Sequence, residues 1–277
     1  MTTAAEVQPG LYDGVSEAVY HGDPIPGGSL SSGGARTLVK YCPARFKWDI
    51  DNPQPYKKVF DFGTAAHCRV LGEGPELVLV DAVRWDTKAV KEEVAAIRAA
   101  GAVPLKRAEL DQVEAMAAAL RADPDAARLL EPGSGAAEQS GFWEDSSVGV
   151  WRRVRFDWLR HDGQIVDYKT ARSCRPEDIE KTFYEHGYQQ QQDWYEDAGQ
   201  ALGVADPDRP MQFVLQEKDP PYLVVVTTSD ATARGIGRHL NDVALNTYRI
   251  CRESGDWPGY LPNPVTSLPA WVERQYV

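Results

Sequence analysis

The sequence predicts an α/β (α+β) chain in which helices flank a β-sheet. Three observations predict it. A central stretch from Glu138 to Thr170 is β-rich and alternates with a period of two, alanine-rich segments of helical period precede it, and two further β-rich runs with a long helix follow it. With 277 residues, of which 43% are hydrophobic, the chain can bury a substantial core. It shows no internal repeat and no linker long enough to force a boundary, so one domain over 1–277 is expected.

Taken in order, a Ser/Gly stretch from Ser29 leads into an apolar-periodic segment that reaches Trp48. Val59–Leu71 is a second helix around Phe62, Ala66 and Val70. Glu76–Asp81 reads as a short strand, and Thr87–Ala100 and Arg107–Arg121 as two amphipathic helices, expected to form a helical insert over 86–131. Glu138–Glu144, Val148–Leu159 and Gln164–Thr170 form a three-stranded meander, broken at Asp145-Ser146-Ser147 and Asp162-Gly163. Pro176–Tyr184 and Tyr188–Ala201 are helical, and Gln212–Gln216 and Tyr222–Thr227 are strands around Asp219-Pro220-Pro221. Ala231–Arg252 is a long helix, followed by an irregular tail rich in Pro and Trp.

The formal charge of −11 excludes a broadly basic surface that binds nucleic acid without specificity, because such binding neutralises many phosphates. Any DNA contact must be local, and carboxylates gathered around a cation are compatible with that. No apolar run reaches about 18 residues, and Met1 to Pro9 lacks a secretory pattern. No membrane partner and a cytoplasmic location are therefore expected. Cys42, Cys68, Cys174 and Cys251 show no C-x-x-C spacing, which suggests four reduced thiols and neither a zinc ribbon nor a disulfide framework.

The motif D-x-K occurs twice. Asp86-Thr87-Lys88 opens a helix, where Asp86 is most simply an N-cap and Lys88 a solvated side chain. In Gln164–Thr170 the two-residue period puts Asp167 and Lys169 on one face with Ile165. The preceding strand offers Arg153, Arg155 and Asp157 on one face and Val154, Phe156 and Trp158 on the other. A two-residue Asp162-Gly163 turn would set Asp157 opposite Tyr168. A three-residue loop, His161-Asp162-Gly163 with Gly163 left-handed, instead pairs Asp157 with Asp167. The longer loop is expected, and two carboxylates about 5 Å apart then call for a divalent cation between them.

Surface ion pairs among Asp157, Asp167, Lys169 and Arg155, each worth about 0–1 kcal/mol, would explain these two strands equally well. Other segments decide. Tyr188, Gln191 and Tyr195 fall on one helical stripe that is too polar for a plain core face, although an amphipathic boundary helix would carry it too. His67 sits among small apolar residues, where a buried, satisfied imidazole is the commoner case and a metal ligand the alternative.

The ordered set Gly63-Thr64-Ala65-Ala66-His67, Glu138, Arg155-Phe156-Asp157-Trp158-Leu159, Val166-Asp167-Tyr168-Lys169-Thr170-Ala171 and Tyr188-x-x-Gln191-x-x-x-Tyr195 resembles the PD-(D/E)XK nucleases of the RecB and RecE type. Ser29-Leu30-Ser31-Ser32 with Tyr41-Cys42-Pro43, and Phe213 to Val226 with Pro220-Pro221-Tyr222, are similar to flanking segments of the RecE-like exonucleases. Phe156 stands where many relatives have Pro, and Asp167 where Glu is commoner; neither alters the ligand chemistry.

That resemblance implies a central mixed β-sheet flanked by helices and a Mg²⁺-dependent DNA exonuclease, with Mn²⁺ as a substitute. It further implies cutting of double-stranded DNA from 5′ to 3′ in phage-type recombination, a homo-oligomeric ring and a single-strand annealing partner. Asp157, Asp167, the Tyr168 carbonyl and His67 would hold the metal, with Glu138 a weaker ligand. Lys169 would activate the attacking water, and Gln191 and Tyr195 would support the site or touch the DNA backbone. Tyr188, Arg152, Arg153 and Arg155 are expected near DNA, the arginines as backbone contacts or partners of the acidic cluster. For Ser31 and Ser32 a helix N-cap is favoured over a terminal-phosphate contact. Some relatives hold an iron-sulfur cluster with three late cysteines; here only Cys251 is late, so none is expected. The alternatives are a repair or structure-specific nuclease of other polarity and a noncatalytic DNA-binding module.

Overall fold

The computed structural model describes residues 7–52, 59–262 and 265–276. Its elements begin with β1 (Gly10–Tyr12), α1 (Glu17–His21), β2 (Leu30–Ser31), α2 (Ser32–Lys40), α3 (Pro43–Asp51) and α4 (Val59–Leu71). Next come β3 (Leu77–Leu79), α5 (Lys88–Ala99), β4 (Val103–Leu105), α6 (Arg107–Ala122) and α7 (Pro124–Leu129). The meander is β5 (Gly135–Asp145), β6 (Val150–Arg160) and β7 (Ile165–Ala171). After it stand α8 (Pro176–His186), α9 (Tyr188–Ala201), β8 (Gln212–Glu217), β9 (Val224–Thr227), α10 (Ala231–Ser254) and α11 (Ala270–Glu273).

A mixed sheet lies at the centre in the order β1-β5-β6-β7-β8-β9, with β2 added beside β6. Pairing is antiparallel except for β2 with β6 and β7 with β8. The β7–β8 pair is parallel because the chain crosses over through α8 and α9. Strands buried on both faces sort their side chains by parity. Ile165, Phe213 and Leu215 pack with Trp194 and Ala198 of α9 and Ala244 and Leu245 of α10. Val166, Tyr168 and Val214 pack with Ala66 of α4, Met116 and Leu120 of α6, and Leu129 of α7.

The loop between β6 and β7 has three residues. Arg160 and Gln164 close it, with Arg160 N donating to Gln164 O at 3.0 Å and Gly163 N to Arg160 O at 3.0 Å. Gly163 takes φ 79, and a β-carbon there would lie 2.6 Å from the backbone nitrogen of Asp206, so glycine is required twice over. Gly237 is needed for another reason: its β-carbon would meet the Gln189 carbonyl, so only glycine lets α10 cross this close to α9.

Several expectations change. Thr87, not Asp86, caps α5, its side chain accepting from Val90 N; Asp86 instead pairs with Arg84 at 2.7 Å. Phe156 packs with the α9 layer and Trp158 with the α4 layer, so the alternation is interrupted between them. The interruption falls at Asp157 and at Glu138, which is in register opposite Asp157 between the pairs Ala137↔Trp158 and Gln139↔Phe156. Glu138 carries φ 53, a left-handed value costly for a side-chain-bearing residue. The strands β1, β2 and β4, of two or three residues each, are too brief to show a period. The tail carries the four-residue α11, where an irregular course is expected.

Candidate active site

The register that pairs Leu159 with Ile165 and Trp158 with Val166 would next pair Asp157 with Asp167, and there the ladder stops. Beyond that point β6 is joined along the same edge by β2, at Leu30↔Arg152 and Ser31↔Arg153. The β6–β7 pair therefore opens at the two aspartates. Asp157 fills the gap, its Oδ2 accepting from Tyr168 N at 3.1 Å.

On the α9 side Asp167 is fully buried. Its Oδ1 accepts from Gln191 Nε2 at 2.7 Å, and its Oδ2 lies 2.6 Å from Lys169 Nζ, which is 3.9 Å from Asp157 Oδ2. Tyr188 stacks between His186 and Phe213, with Lys169 Nζ 5.8 Å from its ring centroid, and Tyr195 packs edge-on against Phe156. Lys169, Tyr188, Gln191 and Tyr195 share a cleft of about 470 Å³ with Arg36, Lys40 and Tyr41. Arg36 and Lys40 donate to the carbonyls of His186 and Glu185 at the end of α8, which fixes two cations on the wall facing Lys169. Nothing in the sequence singles out these two: four residues apart on one apolar-periodic helix, they carry no signal beyond their charge.

On the α4 side, His67 Nε2 stands 2.7 Å from the Tyr168 carbonyl oxygen and 3.4 Å from Asp157 Oδ2, and His67 Nδ1 stands 3.9 Å from Glu138 Oε1. One ligand atom from each of His67, Glu138 and Asp157 falls within 4.8 Å of the others. These three residues line a cleft of about 280 Å³. Asp167 belongs to the Lys169 and Gln191 side of this arrangement, and Lys169 Nζ is the group that reaches both aspartates.

Burial, and after it the negative charge of Asp167, pushes the Asp157 carboxyl up to about 8. Burial and the Asp157 charge also raise Glu138. For Lys169, burial favours the neutral amine, but the charges of Asp167 and Asp157 outweigh it and hold the ammonium above its ordinary range. Burial, then Lys169, holds His67 below its ordinary value, which keeps the imidazole neutral and able to ligate. Surrounded by protein groups alone, Asp157 contributes stability that is full below its ordinary value of 3.8 and lost as pH rises through about 8. A cation bound at this group would have to displace that proton. Mn²⁺ affinity, followed by electron paramagnetic resonance, should rise roughly tenfold per unit between pH 6 and 8 and level off above. A flat profile would remove Asp157 from the cation's neighbourhood.

The residues expected near DNA are placed variously. Tyr188 is in the cleft. Arg152 is not: its side chain is 3% exposed, lies over the rings of Trp143 and Trp194, and pairs with Asp145 and Asp197. The expectation of a DNA contact gives way here to support of the fold. Arg153 is taken up by Asp23 at 2.6 Å and by Ser29. Arg155 donates to Glu138 Oε2 at 2.6 Å and to Val15 O, so it acts as a partner of the acidic cluster. Ser31 is the N-cap of α2, accepting from Gly34 N at 3.2 Å, and Ser32 is buried in its first turn.

The chain thus has a mixed α/β fold in which the central antiparallel pair opens over two aspartates and a lysine, between helical layers. It shares that fold with a crystal structure described as "Putative exonuclease" from Eubacterium rectale, with TM-score 0.57 and 12% identity over 86% of this chain and 91% of that one. No family model matches the chain, and no curated protein matches it.

Proposed function

We propose that the chain is a divalent-metal-dependent DNA exonuclease of the PD-(D/E)XK superfamily, of the RecE-like group. The observation that carries the reading is the opened β6–β7 pair, which sets Asp157, Asp167 and Lys169 beside the converging ligand atoms of His67 and Glu138. Hard oxygen donors and one neutral imidazole suit Mg²⁺ or Mn²⁺. His67, Glu138, Asp157 and the Tyr168 carbonyl would hold the ion, with Asp167 beside them. When bound, the ion supplies charge stabilisation to the phosphodiester oxygens.

The chain's own residues do the rest. Asp157 and Asp167 keep Lys169 an ammonium, so Nζ acts as a hydrogen-bond donor that orients water and stabilises developing negative charge. Gln191 fixes the Asp167 carboxylate. Arg36 and Lys40 place positive charge where a DNA backbone would run. None of the described helices is long and apolar enough to cross a membrane. Polarity from 5′ to 3′, a ring-shaped oligomer, an annealing partner and a cytoplasmic setting belong to the same proposal through the resemblance.

Gln191→Ala should slow cleavage about 10- to 100-fold without ending it, since it removes a partner of the Asp167 carboxylate and no metal ligand. Complete loss, or an unchanged rate, would contradict that role. A duplex labelled at either end, incubated with Mg²⁺, tests the polarity by which label is released first.

A further inference from the structure

Tyr41 and Trp48 are 48% and 49% exposed, and one guanidinium joins them: Arg45 Cζ lies 6.0 Å from the Tyr41 ring centroid and 5.6 Å from that of Trp48. Lys40 Nζ stands 5.8 Å from the Tyr41 centroid. Single exposed aromatics are ordinary on protein surfaces. This ladder differs in two respects. Tyr41, the cap residue between α2 and α3, also lines the cleft that holds Lys169, so the ladder starts at the candidate active site. In a chain of net charge −11, residues 36–51 carry four cations, Arg36, Lys40, Arg45 and Lys47, against two carboxylates, Asp49 and Asp51. Those two are held in exposed i,i+4 pairs, which are weak and yield readily to a phosphate.

Alternating aromatic faces and cations are what unpaired nucleotides recognise. Bases stack on the rings, and the backbone phosphates meet the basic groups between them. We infer that Tyr41, Arg45 and Trp48 form a stacking platform for the unpaired nucleotides at a DNA end, leading into the Lys169 cleft. The enzyme thereby prefers ends with a single-stranded overhang to blunt ends. The substrate named here rests on the nuclease reading above.

The test is fluorescence anisotropy in Ca²⁺ with one fluorescein-labelled duplex prepared blunt, with a 5′ overhang and with a 3′ overhang. Wild-type protein should bind one overhang form more tightly than the blunt form. Tyr41→Ala and Trp48→Ala should each cut that preference about 5- to 100-fold, the worth of one stacked base, whereas Tyr41→Phe and Trp48→Phe should keep it. Equal affinity for all three duplexes, or a preference that survives the double alanine variant, would overturn the platform. Cleavage of the blunt duplex by wild-type protein in Mg²⁺ separates the two readings. Cleavage without any overhang preference sinks the platform alone, and overhang preference without cleavage sinks the nuclease.

Discussion

Asp157→Asn and Asp167→Asn are each expected to leave a folded protein that cleaves linear DNA at least about 10³-fold more slowly. Each substitution keeps the shape of the side chain. The first removes a carboxylate from the group it forms with His67 and Glu138, and the second removes the charge that faces Lys169 at 2.6 Å. Charge stabilisation by a bound cation is worth several kcal/mol in such reactions, and each 1.36 kcal/mol is a factor of ten. Gln191 can still bond to an amide at position 167, so the fold should be retained and circular dichroism should be unchanged. Asp86→Ala removes the other D-x-K carboxylate, which pairs with Arg84 on the surface, and its activity should match wild type. Substantial Mg²⁺-dependent cleavage by the Asp167 variant would sink the assignment.

Lys169→Met is expected to slow cleavage about 10²- to 10⁴-fold while leaving Mn²⁺ binding intact or tighter. The butyl stem of lysine and the methionine side chain fill similar space, so the loss falls on the ammonium. Removing that cation leaves Asp157 and Asp167 facing each other with nothing positive between them. The Asp157 carboxyl should then protonate more readily in metal-free protein, and the pair should hold a divalent cation at least as well. Loss of Mn²⁺ binding in this variant would mean that Lys169 shapes the site and does not act in the reaction.

Much of this geometry is legible in the sequence because strand parity and loop length are discrete. An odd loop ending in Gly163 admits one register, and that register sets the two aspartates across from each other. Parity also places Arg152 with Val154 and Phe156, and its guanidinium accordingly lies over Trp143 and Trp194 inside the fold. The break between Phe156 and Trp158 is not legible. It depends on a left-handed glutamate at 138, and no residue-level preference announces one. The burial of the polar run Gln190 to Asp193, all four residues of which are buried, is not legible either. Besides the local bond from Gln192 to Glu196, the partners are distant in sequence: Asp167 for Gln191, Thr228 and Ser229 for Gln192, and Asn241 for Asp193. The Lys169 cleft is hidden for the same reason, since α2, α8 and α9 meet there only through the tertiary fold.

On the proposed function, this opened strand pair cuts DNA with a divalent cation. The most direct measurement incubates the purified full chain with linear duplex DNA in Mg²⁺, in Mn²⁺ and in EDTA, alongside the Asp157→Asn protein in Mg²⁺. Nucleotides should be released from the linear duplex in either metal, none in EDTA and none above about 10⁻³ of the wild-type rate for the variant. Intact DNA after incubation with wild-type protein in both metals, or degradation that continues in EDTA, would contradict it.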